Sequence, residues 1–154
     1  MGDLITIETS LKSIDVTQLV DYSRKIQEIG AINAMMAPTY LRDFILAYDI
    51  TNTMLSRAVR CDVEAQTYLD KVKAIAYLER AGDYLAQHNI KESSEARKRY
   101  VDIDPEVLDA SGLKAKAEAI VAFLKNKMQA FRMAHDDVKK MIYGDSHQSA
   151  YEGM

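Results

Sequence analysis

Residues 113–141 read LKAKAEAIVAFLKNKMQAFRMAHDDVKKM. Leu113, Ala117, Ile120, Leu124, Phe131, Ala134, Val138 and Met141 recur at steps of four and three, and only Lys127 breaks the series. That period places them on one face of an α-helix. Val121, Met128, His135 and Ile142 widen the face to about a third of the circumference, which suits a bundle or multi-helix assembly better than an isolated two-stranded coil. The start of this helix is marked just upstream. Asp104-Pro105 pairs an N-cap residue with proline at the first helical position. The spacing therefore predicts a helix over about Glu106–Tyr143, with a weak point at Ser111-Gly112.

Farther upstream, Ser93 or Ser94 can cap a short helix through Tyr100, after a polar break at His88–Glu92. A second long helical region is expected from about Thr39 to Gln87. Its apolar stripe includes Leu41, Ile45, Tyr48, Leu55, Val59, Val63, Leu69, Val72, Ala76 and Leu85, with interruptions near Asp49–Thr53 and at Gly82. Pro38 reads as a boundary, because it disfavours a helical residue before it. A first helix is expected from Asp15, where Asp15 and Gln18 resemble a capping box. Gly30 is expected to weaken its end, and Ala31–Met36 remain compatible with helix. Residues 3–8 alternate briefly and read as an arm or edge strand. With two prolines, six glycines and no tract of turn residues, the expected fold is all-α. It is an elongated helical bundle whose long C-terminal amphipathic helix assembles into an oligomer, with Ile120, Leu124, Phe131 and Val138 in the seam. The expected organisation is one helical domain over 1–143, with a short N-terminal arm at 1–14 and a polar tail at 144–154.

Composition narrows the function. The net charge of −3 argues against a surface that is wholly a polyanion-binding field, so nucleic-acid contact would need a local patch. Residues 113–140 carry seven Lys or Arg against three acids. The lone Cys61 permits no internal disulfide and fits a reducing compartment. No leader-like segment and no run of eighteen apolar residues is visible. A cytoplasmic, non-membrane protein is the expectation.

Catalytic and metal chemistry find little support. His88, His135 and His147 are dispersed, and none has a glutamate three residues earlier, so no metal site, catalytic set or cofactor is expected. Basic residues with neighbouring aromatics are more informative. Arg97-Lys98-Arg99-Tyr100 could join phosphate contacts to a ring on which a base stacks. Successive helical residues diverge by about 100°, so the three charges cannot all face one strand. The competing reading has Tyr100 and Val101 packing while the charges are solvated. Lys71, Lys73 and Arg80, interleaved with Tyr68 and Tyr77, form a second group open to the same two readings. Lys125, Arg132 and Lys139 stand at seven-residue steps, with Lys114 near the same edge. This rim could track phosphates or serve as a solubilising, salt-bridging edge.

The run from Ser94 to Val107, followed by Lys116, Ala119, Val121, Phe123 and Leu124 and then by Phe131, His135 and Lys139-Lys140, resembles phage recombination mediators of the UvsY-like type. The resemblance covers about residues 68–142 and rests on the order of elements. It implies a non-enzymatic homo-oligomer that binds single-stranded DNA and helps a recombinase replace a single-strand-binding protein. It also implies that Arg97–Tyr100 touches the DNA and that the last helix contributes to the ring. The alternative is a helical assembly or adaptor protein, such as a phage structural or inhibitor protein, without nucleic-acid binding.

Overall fold

A computed structural model describes the backbone of residues 2–151 and the side chains of residues 3–144. The fold is all-α, and no strand occurs among the described residues. The elements are α1 (Gly2–Lys12), α2 (Val20–Gln27), α3 (Ala37–Ile75), α4 (Ala81–Gln87), α5 (Ser94–Ile103) and α6 (Pro105–Tyr151). Short 3₁₀ turns occupy Val16–Leu19 and Ile29–Ala31, and a π-helical turn, Ala76–Arg80, joins α3 to α4. The chain forms two compact units, Met1–Ser13 with Ala58–Val121 and Ile14–Arg57 with Ala122–Met154.

Heptad spacing organises both long helices. On α6, Ala110, Ala117, Leu124, Phe131 and Val138 follow one another at steps of seven, and all are fully buried. On α3, the buried positions run Ala37, Tyr40, Phe44, Ala47, Thr51, Met54, Ala58, Cys61 and Ala65, alternating three and four. Thr51 fits this apolar stripe because its hydroxyl donates to the Ala47 carbonyl at 2.6 Å. Thr53 does the same to Asp49 at 3.1 Å. The polar stretch Asp49–Thr53 therefore does not interrupt the helix, contrary to the sequence expectation. Pro38 likewise sits inside the first turn of α3, where its missing N–H costs nothing. Asn33 supports the approach, its side-chain oxygen accepting from the N–H groups of Met35 and Met36.

The expected edge strand is also corrected. Residues 3–8 lie within α1, because the decisive spacing is longer than the alternating window. Leu4, Ile7, Leu11 and Ile14 are three, four and three apart, and the last three are buried. Asp15 does cap the next segment, accepting from the Thr17 N–H, but the turn it opens is 3₁₀ rather than α. At the far end α6 continues past Tyr143 to Tyr151. Of the expected polar tail, residues 152–154 and the side chains after Gly144 lie outside the described residues.

In the first unit, Leu69 and Val72 of α3 pack with Val107 and Ala110 of α6, while Asp62 pairs with Lys114 at 2.7 Å. Partner numbers fall as α3 numbers rise, so the two helices run antiparallel there. Tyr100 and Val101 of α5 complete this core with Ala76 and Ala81. In the second unit, the Phe131 ring meets Tyr22 of α2 edge-on at 6.4 Å. Lys127, the residue that breaks the apolar series, donates to Ser23 at 2.9 Å and lies 5.6 Å from the Phe123 ring. Its aliphatic stem covers apolar surface while the ammonium reaches a polar partner.

Candidate functional site

The π turn shapes the region that holds most of the predicted site residues. In an α-helix, the Ala81 N–H would donate to Tyr77; here it donates to Ala76, five residues back. Buried positions consequently step by five, from Ala76 to Ala81, before resuming with Leu85 four residues later. The Tyr77 carbonyl receives instead the Arg97 guanidinium, with Nη1 at 2.7 Å. Arg97 also pairs with Glu92 and lies 5.7 Å from the Tyr77 ring. Gly82 leaves room for this arginine, since a β-carbon there would stand 3.3 Å from Nη2.

Arg80, the last residue of the π turn, reaches Asp104. Its Nε and Nη2 each donate to one carboxylate oxygen at 2.8 Å. Tyr100 donates to the same carboxylate at 2.7 Å, and the N–H groups of Glu106 and Val107 donate to it at 3.1 Å. Asp104 is thus both the N-cap of α6 and the acceptor for two side chains, at 1 % exposure. The Arg80 hydrogen bonds hold its carboxyl down at about 2, against the opposing effect of burial. The same pair raises the Arg80 guanidinium. Tyr100 is raised chiefly by burial, then by its bond to Asp104.

These contacts divide the expected DNA-binding residues. Arg80, Arg97 and Tyr100 are bound into the protein itself, and Tyr100 is largely buried. Lys98 and Arg99 project to solvent, with Arg99 held by Glu95 at 2.8 Å. Lys71 is exposed and lies 3.7 Å from Asp3, and Lys73 is exposed. Three of the seven residues are thus engaged within the protein, and four are exposed. Residues 70–109 as a whole carry seven Lys or Arg against nine acids. The long-range partners of Arg80 and Arg97 could not be read from local spacing. The one legible signal was Asp104-Pro105, which marked the cap but not its second task.

The residues expected in an assembly seam lie at different depths in the chain. Leu124, Phe131 and Val138 are fully buried within one chain, and Ile120 is half-buried.

The rim beside that seam remains exposed. Lys125, Arg132 and Lys139 face solvent on the second unit, and none is in an ion pair with a described residue. Lys114, by contrast, is taken by Asp62 and Glu118; the Asp62 hydrogen bond raises its ammonium. An open groove of about 280 Å³ beside Arg132 is lined by Phe44, Ile45, Tyr48, Phe131, His135 and Asp136. No group of three metal-ligating side chains occurs among the described residues. No helix among them is long and apolar enough to cross a membrane. Neither the family models, the curated proteins nor the solved structures contain a match to this chain.

Proposed function

We propose that this is a non-enzymatic helical protein that binds single-stranded DNA as a mediator-type factor. Its contact lies on the outer edge of α6 and not on the basic run of α5. The carrying observation is the exposed row Lys125, Arg132 and Lys139, without ion-pair partners among the described residues. At 1.5 Å rise per residue, successive members stand about 10.5 Å apart along the helix. Residues 122–144 hold five cations against two acids, so this segment has an excess of positive charge on a chain that is acidic overall. Tyr48 and His135 in the groove that Arg132 lines supply rings near that cation, the combination that single-strand binding uses. By the resemblance already described, the partners are a recombinase and a single-strand-binding protein, and the working form is a homo-oligomer.

The helical adaptor reading is favoured by a different observation. Arg80, Arg97 and Tyr100 are engaged in contacts within the fold, which leaves only Lys98 and Arg99 of the densest basic run exposed.

The test is a titration of labelled single- and double-stranded oligonucleotides at two salt concentrations. Single-strand affinity should fall steeply with salt as phosphates release counterions. The triple variant Lys125→Ala/Arg132→Ala/Lys139→Ala should lower the magnitude of the logarithmic salt slope by about 0.7 for each lost contact. Absence of binding, or an unchanged slope in the folded variant, sinks the proposal and leaves the adaptor reading.

A further inference from the structure

A cleft in the first unit has no part in the reading above. It lies between the end of α4 and α5 and has a volume of about 530 Å³. Its wall is set by a local backbone device. Asn89 takes the left-handed conformation, with φ of 53°. The N–H of Ile90 then returns to the Leu85 carbonyl at 2.9 Å, and that of Asn89 to Ala86 at 3.3 Å. These are the two hydrogen bonds of a Schellman cap, in which the residues equivalent to Leu85 and Ile90 come together. Both line the cleft.

The other wall is one face of α5. Glu95, Ala96, Arg99, Tyr100 and Ile103 span eight helical steps, or about 12 Å of helix. Tyr84 and Tyr100 form the floor, with ring centroids 4.8 Å apart, and His88 stacks on Tyr84 at 4.0 Å. Apolar surface continues onto both lips, where Ile90 is 46 % and Ile103 54 % exposed. Two cations, Lys91 and Arg99, stand on the lining. Glu95 already compensates Arg99 at 2.8 Å, whereas Lys91 is in no ion pair with a described residue.

We propose that this cleft is a docking groove for an amphipathic helix with an acidic flank, contributed by another protein. The dimensions suit such an occupant. A helix presenting apolar anchors at i, i+3, i+4 and i+7 spans about 10.5 Å, close to the length of the α5 wall. The half-exposed lips argue for an extended ligand, since a small molecule would sit deeper in an enclosed cavity. The excess positive charge on the lining selects carboxylates on the occupant's flank.

The probe is a labelled eighteen-residue helical peptide with leucines at those four positions and glutamates beside them, titrated against the full chain by fluorescence anisotropy. A second peptide carries lysines in place of the glutamates. The glutamate peptide should bind at least tenfold more tightly. Ile103→Asp should weaken it by tenfold or more with an unchanged melting curve, because the side chain is half outside the fold. Ile90→Ser serves the same purpose if Ile103→Asp does not fold. Arg99→Glu should narrow or reverse the preference between the peptides. Absence of binding, equal binding of both peptides, or unaltered affinity in the lip variants overturns the proposal. A wild-type oligomer that falls to monomer on Ile103→Asp also overturns it, by assigning the groove to a second copy of this chain. Single-strand DNA affinity, measured on the Ile103→Asp and Ile90→Ser variants, should not change, so the failure of either reading is visible separately.

Discussion

Arg80 and Asp104, twenty-four residues apart, form a two-pronged ion pair in which both carboxylate oxygens accept from one guanidinium at 2.8 Å. The pair fastens the end of the π turn to the beginning of α6. Asp104 also caps that helix and receives the Tyr100 hydroxyl, so three elements depend on one carboxylate.

Replacing Asp104 should therefore cost more than loss of an ordinary cap. Asp104→Ala removes the cap and leaves Arg80 without its principal partner. A cap contributes about 1 kcal/mol, and a broken, largely buried ion pair costs roughly 3 kcal/mol. Partial exposure of Arg80 reduces the second figure, so a net loss of about 3 kcal/mol is expected. Thermal melting should show a drop of roughly 6–12 °C. A drop under 2 °C would mean that the network does not hold the fold.

Acid should weaken the protein through the same group. The Asp104 carboxyl is lowered in the folded chain from 3.8 to about 2. A lowered carboxylate stabilises the native state fully above its unfolded value and loses that contribution as pH falls through the folded value. The contribution, roughly 2 kcal/mol, should disappear between about pH 4 and pH 2. Urea unfolding at several pH values would measure it. Asp104→Asn should show a shallower acid dependence than the parent over that window.

Tyr100 separates folding from DNA contact. Tyr100→Phe deletes one hydrogen bond to a buried carboxylate and should cost about 1–2 kcal/mol. Its single-strand affinity, measured on the folded fraction, should match the parent. A loss of affinity without loss of stability would return Tyr100 to the binding surface.

The left-handed residue at the end of α4 gives a backbone test. Asn89→Ala should destabilise by about 1 kcal/mol, because alanine meets its β-carbon clash at positive φ. Asn89→Gly should be neutral or slightly stabilising. Chemical denaturation resolves both, and equal stability of the two variants would contradict the cap.

Phe131 distinguishes core from interface. Phe131→Ala should cost about 3–5 kcal/mol as a buried cavity. Light scattering of the surviving folded fraction should give the parent's mass. A stable variant of lower mass would place the ring between subunits.

Much of this architecture was legible because helices advertise themselves locally. Asp104-Pro105, Ser93 and the seven-residue spacing on α6 each act within one or two turns, and all three mark what the structure contains. The strand-like reading of residues 3–8 failed because six residues sample too little of a 3.6-residue period; Leu11 and Ile14 supply the missing evidence. The fates of Arg80 and Arg97 were illegible for another reason. Their partners are a carboxylate and a backbone carbonyl brought near by tertiary packing and by a non-standard turn, and a basic residue looks alike in sequence whether it meets solvent or its own chain.

The five-residue step from Ala76 to Ala81 has a genetic consequence. A helix that contains a π turn holds one residue more than the same length of regular α-helix needs. Deleting one codon between 76 and 80 would leave the reading frame intact and permit an unbroken α-helix, with better local hydrogen bonding. It would also displace one residue from its place in the turn, a change of about 100° around the axis, and withdraw the carbonyl that Arg97 uses. The mildest in-frame lesion in this stretch should thus improve the helix and injure the protein.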